Sequence, residues 1–416
     1  MNRLSSQPYK GTRDWYPEDK AVQNYIFDVW KRTVASFGFQ EYGAPILEPL
    51  EVYAAKSGDE LANEQTYAFT DRGGREVAIR PEMTPSVSRM VAARRQELAY
   101  PARLFSIANF MRYERPQRGR EREFWQLNAD VFGADGVAAE AEILQLADEL
   151  MKAFGANDSM YEVRVNNREL IDELTRNYLG LDEQTSKQLV RLIDRKNKLP
   201  ADVFDEQVHE LLGEESSKLQ TLLTVRSIDE LPEQLADSEA AARVRALFAI
   251  LTELGVSSVH FDITLMRGLD YYTGTVFEVF DTNPENNRSL FGGGRYDGLV
   301  GMFGAEPTSA IGFAPGLTTT ELFLRSHDLL PNTKQKIDLY VVSVGDTQLE
   351  TLQLAARLRG EGAVVESDTT GRKFDKLIKT AEKKGVREIV FVGASEVEGG
   401  SYKAKNLETG EERTFA

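Results

Sequence analysis

Five arginines crowd into one short segment of the chain. Residues 112–122 read Arg-Tyr-Glu-Arg-Pro-Gln-Arg-Gly-Arg-Glu-Arg, with only two glutamates against the five arginines. Pro116 and Gly119 disfavour a helix, so we expect a loop between two strands. Guanidinium groups bind phosphate oxygens through forked, permanently charged donors. The segment therefore predicts a phosphate-binding loop, and the alternative is a solvated loop of salt bridges.

Three further segments place polar side chains or glycines beside predicted strands. They read Arg-Pro-Glu-Met-Thr at 80–84, Leu-Met-Arg-Gly-Leu-Asp-Tyr-Tyr-Thr-Gly-Thr-Val-Phe-Glu at 265–278, and Gly-Gly-Gly-Arg-Tyr-Asp-Gly at 292–298. A carboxylate at Glu82 can pair with a ligand ammonium, polar groups at a strand edge can form a small-molecule pocket, and glycines let the backbone approach a ligand. Each segment also fits a plain structural role: an exposed glutamate, tyrosines that cover a core, or a turn.

Basic side chains recur at helical spacing near the C-terminal end of the sequence, where a helix is predicted over 375–384. Four of them fall within a stripe of about 60° at 100° per residue. They are Arg372, Lys376, Lys379 and Lys383. The apolar residues on the opposite side are Phe374, Leu377, Ile378 and Ala381. This pattern predicts a core-packed helix with a basic ridge that can follow phosphates, although a solvated lysine face has the same pattern.

The elements that would position these groups form two predicted domains and an insertion. The first domain covers 1–325 and begins with an amphipathic helix at 18–38, whose apolar positions recur every three or four residues. A Leu-rich, charged helical block at 166–250 interrupts this domain. A polar linker follows at 326–334, and 335–416 alternates strand and helix as small α/β domains do. Short strands are predicted at 76–80, 102–107, 259–263 and 274–280, and a glycine-rich turn at 291–295.

Composition excludes several classes of protein. The 416 residues include no cysteine, so thiol catalysis, disulfides and cysteine-bound metals are excluded. Three scattered histidines, His209, His260 and His327, leave little room for a histidine-built metal site, and we expect no metal bound by the protein. The sequence lacks a run of about 18 apolar residues that could span a membrane, and its first residues lack the apolar core of a signal peptide. We therefore expect a cytoplasmic protein with no membrane partner.

The net charge of −16, taken alone, argues against a nucleic-acid partner. However, the excess of acidic residues is unevenly distributed. Residues 333–416 carry 14 basic and 14 acidic side chains, so the whole deficit lies in the preceding part of the chain. That part also contains the arginine-rich segment, whose local charge opposes its surroundings. The average charge is therefore compatible with binding of a nucleic acid.

In this order, the segments resemble the motifs of bacterial histidyl-tRNA synthetases, a family of class II aminoacyl-tRNA synthetases. The resemblance runs over essentially the whole chain. It implies an α+β catalytic domain with a mixed, mainly antiparallel sheet, a helical insertion, and a C-terminal anticodon-binding α/β domain. The matching segments are Gly11–Asp14, a motif 1 segment around Pro45 at the dimer interface, motif 2 at Phe110–Gln117 and Phe124–Leu127, the histidine-specific motifs Arg267–Tyr272 and Gly293–Gly298, and Gly371–Lys376.

The resemblance implies that a homodimer activates L-histidine with ATP and transfers it to the 3′ end of tRNA(His), with Mg²⁺ accompanying the nucleotide and no protein ligand assigned to it. Arg112 and Arg267 would be catalytic, because negative charge accumulates on the α-phosphate that both would contact. The implied ATP-binding residues are Arg112, Glu114, Phe124 and Arg267. The implied histidine-binding residues are Glu82, Met83, Thr84, Gln126, Asp130, Tyr271, Tyr272 and Tyr296. The implied tRNA-binding residues are Arg115, Gln117, Arg118, Arg120 and Arg122 in motif 2, and Arg372, Lys376, Lys379 and Lys383 in the C-terminal domain.

Two positions depart from the family's pattern. Asp130 replaces the usual glutamate and is one methylene shorter. Thr319 stands where motif 3 has an arginine that holds the γ-phosphate, and Arg325, the nearest downstream arginine, lies about 120° away around the helix. Either another basic residue binds the γ-phosphate, or ATP is held less tightly, or activity is reduced. The alternative function is that of a non-catalytic synthetase paralogue regulating ATP phosphoribosyltransferase in histidine biosynthesis, although that paralogue lacks the C-terminal domain and the intact motif at Arg267–Tyr272 that are present in this chain. A second alternative is a class II synthetase of another specificity or a tRNA-binding protein without activity.

Overall fold

The chain folds into two compact units, Met1–Pro331 and Asn332–Ala416. A computed structural model describes residues 4–54, 64–196, 199–266, 271–286, 288–333, 337–368, 370 and 373–416. None of the helices in these ranges has the length and apolar composition that a membrane crossing requires.

Two sheets form the framework of the first unit. Its described strands are β1 (Gln40–Glu41), β2 (Leu47–Pro49), β3 (Tyr67–Thr70), β4 (Glu76–Ile79), β5 (Ala102–Met111), β6 (Glu123–Phe132), β7 (Tyr161–Asn167), β8 (Val259–Phe261), β9 (Thr275–Asp281), β10 (Ser289–Arg295) and β11 (Ala310–Phe313). The larger sheet has the order β1-β5-β6-β11-β10-β9-β7-β8, and the smaller one β2-β4-β3. In the larger sheet, β1 with β5 and β7 with β8 pair in parallel, and the other neighbours pair antiparallel. The predicted mixed, mainly antiparallel sheet is confirmed.

Helices cover the larger sheet and bury its core. The described helices of the first unit are α1 (Pro17–Ser36), α2 (Glu51–Ala54), α3 (Thr84–Ala93), α4 (Val137–Ala153), α5 (Arg168–Asp172), α6 (Glu183–Asp194), α7 (Ala201–Leu212), α8 (Ser216–Leu222), α9 (Glu233–Ala236), α10 (Glu239–Glu253) and α11 (Leu317–Ser326). Helix α1 buries Val22, Ile26 and Val29, the apolar face that its sequence periodicity predicts. It ends two residues earlier than predicted, because the chain turns at Gly38 with φ of 80°, a conformation that glycine adopts without strain.

Helices α5 to α9 and the first half of α10 pack around one hydrophobic cluster, to which Phe261, Ile263 and Met266 also contribute. Leu170, Leu189, Val208 and Leu219 are fully buried within it. The helical character predicted for residues 166–250 is therefore observed, and the block has enough apolar surface to bury a separate core.

The predicted glycine-rich turn at 291–295 is wrong, because these residues lie in the central strand β10. A Cβ atom on Gly293 would lie 2.3 Å from the carbonyl oxygen of Gly312 on β11. One on Gly292 would lie 2.8 Å from the carbonyl oxygen of Phe277 on β9. These glycines permit close packing between neighbouring strands, and an isolated reading of the sequence cannot distinguish that role from a turn.

The second unit is a five-stranded sheet with helices. Its described elements are β12 (Leu339–Ser343), α12 (Gln348–Gly360), β13 (Val365–Ser367), α13 (Phe374–Lys383), β14 (Glu388–Val392), α14 (Ala394–Gly399), β15 (Tyr402–Asn406) and β16 (Glu412–Phe415). The strand order is β13-β12-β14-β15-β16, with β12 parallel to both of its neighbours and the last two strands antiparallel. The predicted alternation of strand and helix is confirmed, and α14 is an additional helix.

Candidate active site

One cavity of about 460 Å³ opens on the face of the larger sheet where β6, β10 and β11 lie side by side. The starts of α3 and α11 and the 112–122 loop complete its wall. Most of the predicted substrate-binding residues line it. They are Glu82, Thr84, Arg112, Glu114, Phe124, Gln126, Asp130, Tyr271, Tyr272 and Tyr296.

The deep end of the cavity contains a buried carboxyl group. Asp130 is 4% exposed, and its Oδ1 accepts a hydrogen bond of 2.6 Å from the hydroxyl of Tyr296. Burial raises the pKa of Asp130 to about 7, and the hydrogen bond from Tyr296 acts in the opposite direction. The carboxyl lies against Gly312 on β11, where a Cβ atom would be 2.0 Å from Oδ1. Only a glycine at that position leaves room for this carboxyl group.

A second carboxylate lies beside two tyrosines. The hydroxyl of Tyr271 donates a hydrogen bond of 2.8 Å to Oε2 of Glu82, which is 4% exposed. Burial, followed by the charge of Glu82, raises the pKa values of Tyr271 and Tyr272, so both phenols stay protonated at neutral pH. The rings of Tyr271 and Tyr296 meet edge to face, with centroids 5.8 Å apart. The arrangement can bind a ligand with both an ammonium group and a neutral polar ring.

Arginines lie towards the outer end of the cavity. Arg112 donates from Nε to the carbonyl of Pro81 at 2.9 Å, and its guanidinium carbon lies 5.1 Å from the centroid of the Phe124 ring. Arg120 pairs through Nε with Oε2 of Glu114 at 2.7 Å. Arg120 also lines the cavity. The resemblance implies a tRNA-binding role for this residue and does not indicate that it lies in the cavity wall. This end can therefore bind an anionic ligand next to an aromatic ring.

Thr319 lies at the outer edge of the cavity, at the start of α11. Its hydroxyl donates to the carbonyl oxygens of Leu290 at 2.7 Å and Gly316 at 3.1 Å. Arg325 forms a hydrogen-bonded ion pair with Glu321 one turn back on the same helix and is not a lining residue. The Thr319 side chain therefore bonds to main-chain carbonyl groups and carries no positive charge that could bind a phosphate.

The outer part of the arginine-rich loop borders a second depression of about 300 Å³, which shares Gly119, Leu290 and Thr319 with the main cavity. Gln117 and Arg118 line this depression. Arg118 also donates to Oδ1 of Asn286 at 3.2 Å. Gln117, Arg118 and Arg115 are exposed, as a loop that contacts a macromolecule requires.

Arg122, whose implied role in tRNA binding stays a prediction, lies at the base of the loop. It is 9% exposed and donates to the carbonyl of Glu114 at 3.1 Å and the hydroxyl of Tyr9 at 2.9 Å. Its guanidinium carbon also lies 4.1 Å from the centroid of the Tyr113 ring. The guanidinium group of Arg122 is thus bonded to other residues of the chain, and these bonds stabilise the base of the loop.

Two further predicted residues lie away from the cavity or outside the described ranges. Met83 is 1% exposed and packs with Ala108 and Phe110 in a hydrophobic cluster instead of lining the cavity. Arg267 lies outside the described residues. Met83 therefore packs at the start of α3, and its implied role in histidine binding stays a prediction.

Helix α13 of the second unit has the two faces that its sequence predicts. Leu377 and Ala381 are buried in a cluster that includes residues of β12 and β14. Three predicted tRNA-binding lysines are exposed: Lys376, Lys379 and Lys383. Arg372 lies outside the described residues, as does the side chain of Phe374.

Asn128 and Gly312 are among the lining residues that are absent from the predicted site. The alternation of a strand could have identified Asn128, because it lies between Gln126 and Asp130 on the same face of β6. The contribution of Gly312 depends on the register of β11 with β6, in which Gly312 is opposite Asp130. That register is a tertiary feature.

Comparisons with known proteins agree on one family. A family model described as histidyl-tRNA synthetase matches residues 11–320, and one described as an anticodon binding domain matches residues 338–416. A curated relative from Leptospira biflexa, named Histidine–tRNA ligase, is 41% identical over 421 aligned positions, which cover 100% of this chain and 96% of the relative.

Solved structures share the fold. The crystal structure of histidyl-tRNA synthetase from Nostoc sp. PCC 7120 has a TM-score of 0.83 at 24% identity and covers 100% of this chain and 97% of its own. A Bacillus halodurans structure, titled as an ATP phosphoribosyltransferase regulatory subunit/histidyl-tRNA synthetase, has a TM-score of 0.78 at 25% identity, covering 94% and 99%.

Proposed function

The chain belongs to the histidyl-tRNA synthetase family, and we propose that it joins L-histidine to tRNA(His) at the expense of ATP. In the first step an oxygen of the histidine carboxylate attacks the α-phosphorus, and pyrophosphate leaves. In the second step the terminal ribose hydroxyl of the tRNA attacks the activated carbonyl carbon, and AMP leaves. The observation that carries this proposal is the single cavity that joins a carboxylate-and-tyrosine pocket to an arginine-lined outer end.

Histidine would occupy the deep end. Glu82 and Thr84 would bind its ammonium group, since Glu82 is a buried carboxylate already oriented by Tyr271. A neutral imidazole presents one donor and one acceptor. Asp130 would accept the imidazole N–H, and a tyrosine hydroxyl would donate to the other nitrogen. A site that pairs both nitrogens discriminates strongly against side chains that leave its buried polar groups unpaired.

ATP would occupy the outer end, with adenine against Phe124 and the α-phosphate at Arg112. Because the Nε–H of Arg112 is committed to Pro81, its phosphate contacts would come from the two Nη groups. These donors neutralise charge between two anionic reactants and stabilise the charge that builds up during displacement. We assign Arg267 a second contact to the same phosphate, on the resemblance alone.

The γ-phosphate needs a cation that Thr319 does not supply. Arg120 fits this role, because it lines the same cavity and is held by the largely buried Glu114. Mg²⁺ would enter with ATP on its β- and γ-phosphates, and such ions commonly need only one or two protein carboxylates. The described residues include no group of three acidic or histidine side chains arranged to hold a metal by themselves.

For tRNA, we propose that Arg115, Gln117 and Arg118 meet the acceptor end. In the second unit, the lysines of α13 would bind the anticodon stem and loop. This assignment is supported because one face of α13 is buried in the core of the unit and the lysines are exposed. We assign residues 1–325 to catalysis with an insertion at 166–250, residues 326–334 to a linker, and residues 335–416 to the anticodon-binding domain. A cytoplasmic homodimer is the form in which we expect the enzyme to act.

The regulatory paralogue is the less favoured function. The relative that is 41% identical across the full chain is named a ligase, and the anticodon-binding model matches the second unit.

The deciding experiment is pyrophosphate–ATP exchange with purified protein. Exchange should require L-histidine, ATP and Mg²⁺, stop with EDTA, and fail with the other amino acids. Arg267→Ala should abolish exchange and leave the fold intact by circular dichroism. If the unmodified protein gives no exchange at saturating ATP but still binds tRNA(His), it has a non-catalytic function instead.

A further inference from the structure

Four buried polar atoms share one face of the larger sheet at the deep end of the cavity. They are Oη of Tyr42, Oγ of Ser106, Nδ2 of Asn128 and Oδ2 of Asp130. The hydroxyls of Tyr42 and Ser106 are hydrogen-bonded to each other, and within the part of the chain that the structure describes none of the four atoms has a further hydrogen-bond partner. Buried polar groups that lack partners destabilise the folded state, so this cluster indicates that a further group bridges it.

The register of three strands brings these atoms together. Tyr42 follows β1 directly, and its N–H donates to the carbonyl of Phe105 on β5 at 2.8 Å. Ser106 on β5 is opposite Asn128 on β6, and Asp130 is two residues further along β6. Side chains two residues apart on a strand, and those directly opposite on neighbouring strands, share a face. The phenol of Tyr42 therefore belongs to the same polar row as the carboxyl of Asp130.

Electrostatics agrees with this placement. Burial, followed by the charge of Asp130, raises the pKa of Tyr42, and its hydrogen bond with the Ser106 hydroxyl acts in the opposite direction. The phenol is thus a neutral donor within electrostatic reach of the carboxylate. Oδ1 of Asp130 is already bonded to Tyr296, which leaves Oδ2 as the oxygen available to a further donor.

We propose that Tyr42, Ser106 and Asn128 hold a buried water molecule that donates to Oδ2 of Asp130 and thereby positions this carboxyl for the imidazole of histidine. Buried waters typically make about three hydrogen bonds to protein groups that lack other partners, which matches the donors and acceptors in this row. Tyr42 and Ser106 are outside the cavity lining, so they are positioning residues. This inference rests on the proposed function.

The shortness of Asp130 explains why such a water is needed. The resemblance implies a glutamate at this position in the family, and its extra methylene would bring the carboxylate further into the site. With aspartate, a water can occupy the difference in length and restrain the shorter side chain. The same logic predicts that Asp130→Glu displaces the water and makes Tyr42 dispensable for histidine binding.

The test is a double-mutant cycle measured by exchange kinetics. Tyr42→Phe should raise the KM for L-histidine about 5- to 10-fold, the effect of one lost hydrogen bond, while kcat and the KM for ATP change less than twofold. In the Asp130→Glu background the same substitution should change the KM for histidine less than twofold. Ser106→Ala should act in the same direction, and it serves as the second probe if Tyr42→Phe lowers the thermal midpoint too far.

Tyr53→Phe is the matched control. Tyr53 is also a buried tyrosine, but its hydroxyl contacts Oγ of Ser86 at 3.1 Å, outside the cavity lining. This variant should lose some stability and keep its KM for histidine. The proposal is overturned if Tyr42→Phe and Ser106→Ala both leave the KM unchanged, or if Tyr42→Phe has equal effects with Asp130 and with glutamate at that position. Loss of histidine-dependent exchange in the unmodified protein would instead overturn the proposed function.

Discussion

At the deep end of the cavity the ionisable groups are two buried carboxyl groups and tyrosines, whereas at the outer end they are arginines paired with glutamates near the surface. Asp130 is 4% exposed, while the side chain of Arg120 is 46% exposed. Desolvation dominates the first environment and shifts pKa values. In the second, water partly screens the charges. The deep end is suited to discrimination between neutral and charged ligand groups, and the outer end to attraction of anions.

The largest expected effect comes from Arg112 at the outer end. Arg112→Ala should reduce kcat for exchange by about 10²–10³, because it removes a donor to charge that develops in the transition state. Arg103→Ala is the control, since Arg103 pairs with Glu142 outside the cavity lining and should leave kcat unchanged. A tenfold or smaller loss in Arg112→Ala would mean that the phosphate lies elsewhere.

At the deep end, Asp130→Asn should weaken histidine binding about 10- to 100-fold, the range for a hydrogen bond to a charged group. The same substitution should stabilise the ligand-free protein at pH 8. Burial raises the pKa of Asp130 to about 7, so the folded state favours the protonated carboxyl group. The stability that this group contributes is fully present below its ordinary pKa of about 3.9 and is lost as the pH rises through 7.

We expect this stabilisation to be about 1–3 kcal/mol at pH 8 and to shrink as the pH falls to 5. The phenols that face Asp130 are those of Tyr42, Tyr272 and Tyr296, whose pKa values burial raises, so they do not titrate in this range. Calorimetric titration with L-histidine and thermal unfolding across pH measure the two effects. Equal stability of the unmodified protein and the Asp130→Asn variant at pH 8 would contradict a pKa of Asp130 that burial raises.

At the outer end, Arg120→Ala should raise the KM for ATP about tenfold, as expected when a charge-assisted hydrogen bond is lost, and leave histidine binding unchanged. Arg325→Ala is a close match, because Arg325 is also half-exposed and paired with a glutamate but lies outside the cavity. Equal ATP kinetics in the two variants would remove the γ-phosphate role from Arg120.

The smallest effect is expected outside the cavity. Arg118→Ala should weaken tRNA binding a few-fold and reduce the slope of log affinity against log salt by about 1, because one phosphate contact is lost. Exchange without tRNA should be unaffected. Filter binding of tRNA(His) at several salt concentrations measures the slope, and an unchanged slope would place Arg118 outside the tRNA interface.

Residues with local signals were predicted well. The face of α13 that buries Leu377 and Ala381 follows from helical periodicity alone, and β5 and β6 pair on either side of the arginine-rich loop as predicted. Residues whose surroundings come from outside their own segment were not. Arg122 belongs to the arginine-rich run, and its guanidinium lies between Tyr113 of the same loop and Tyr9 near the start of the chain. Arg120 belongs to the same run and lines the cavity.

The sequence by itself determined the order of the motifs, the helical and strand character of most elements, and the types of side chain available for chemistry, because these depend on neighbours within a few positions. Only the tertiary structure decided that glycines 292–294 form a central strand, that Gly312 makes room for the carboxyl of Asp130, and that Tyr42 joins the polar row behind it. These features depend on strand register, which pairs residues that are far apart in the chain, and on burial, which changes the protonation of a side chain without changing its identity.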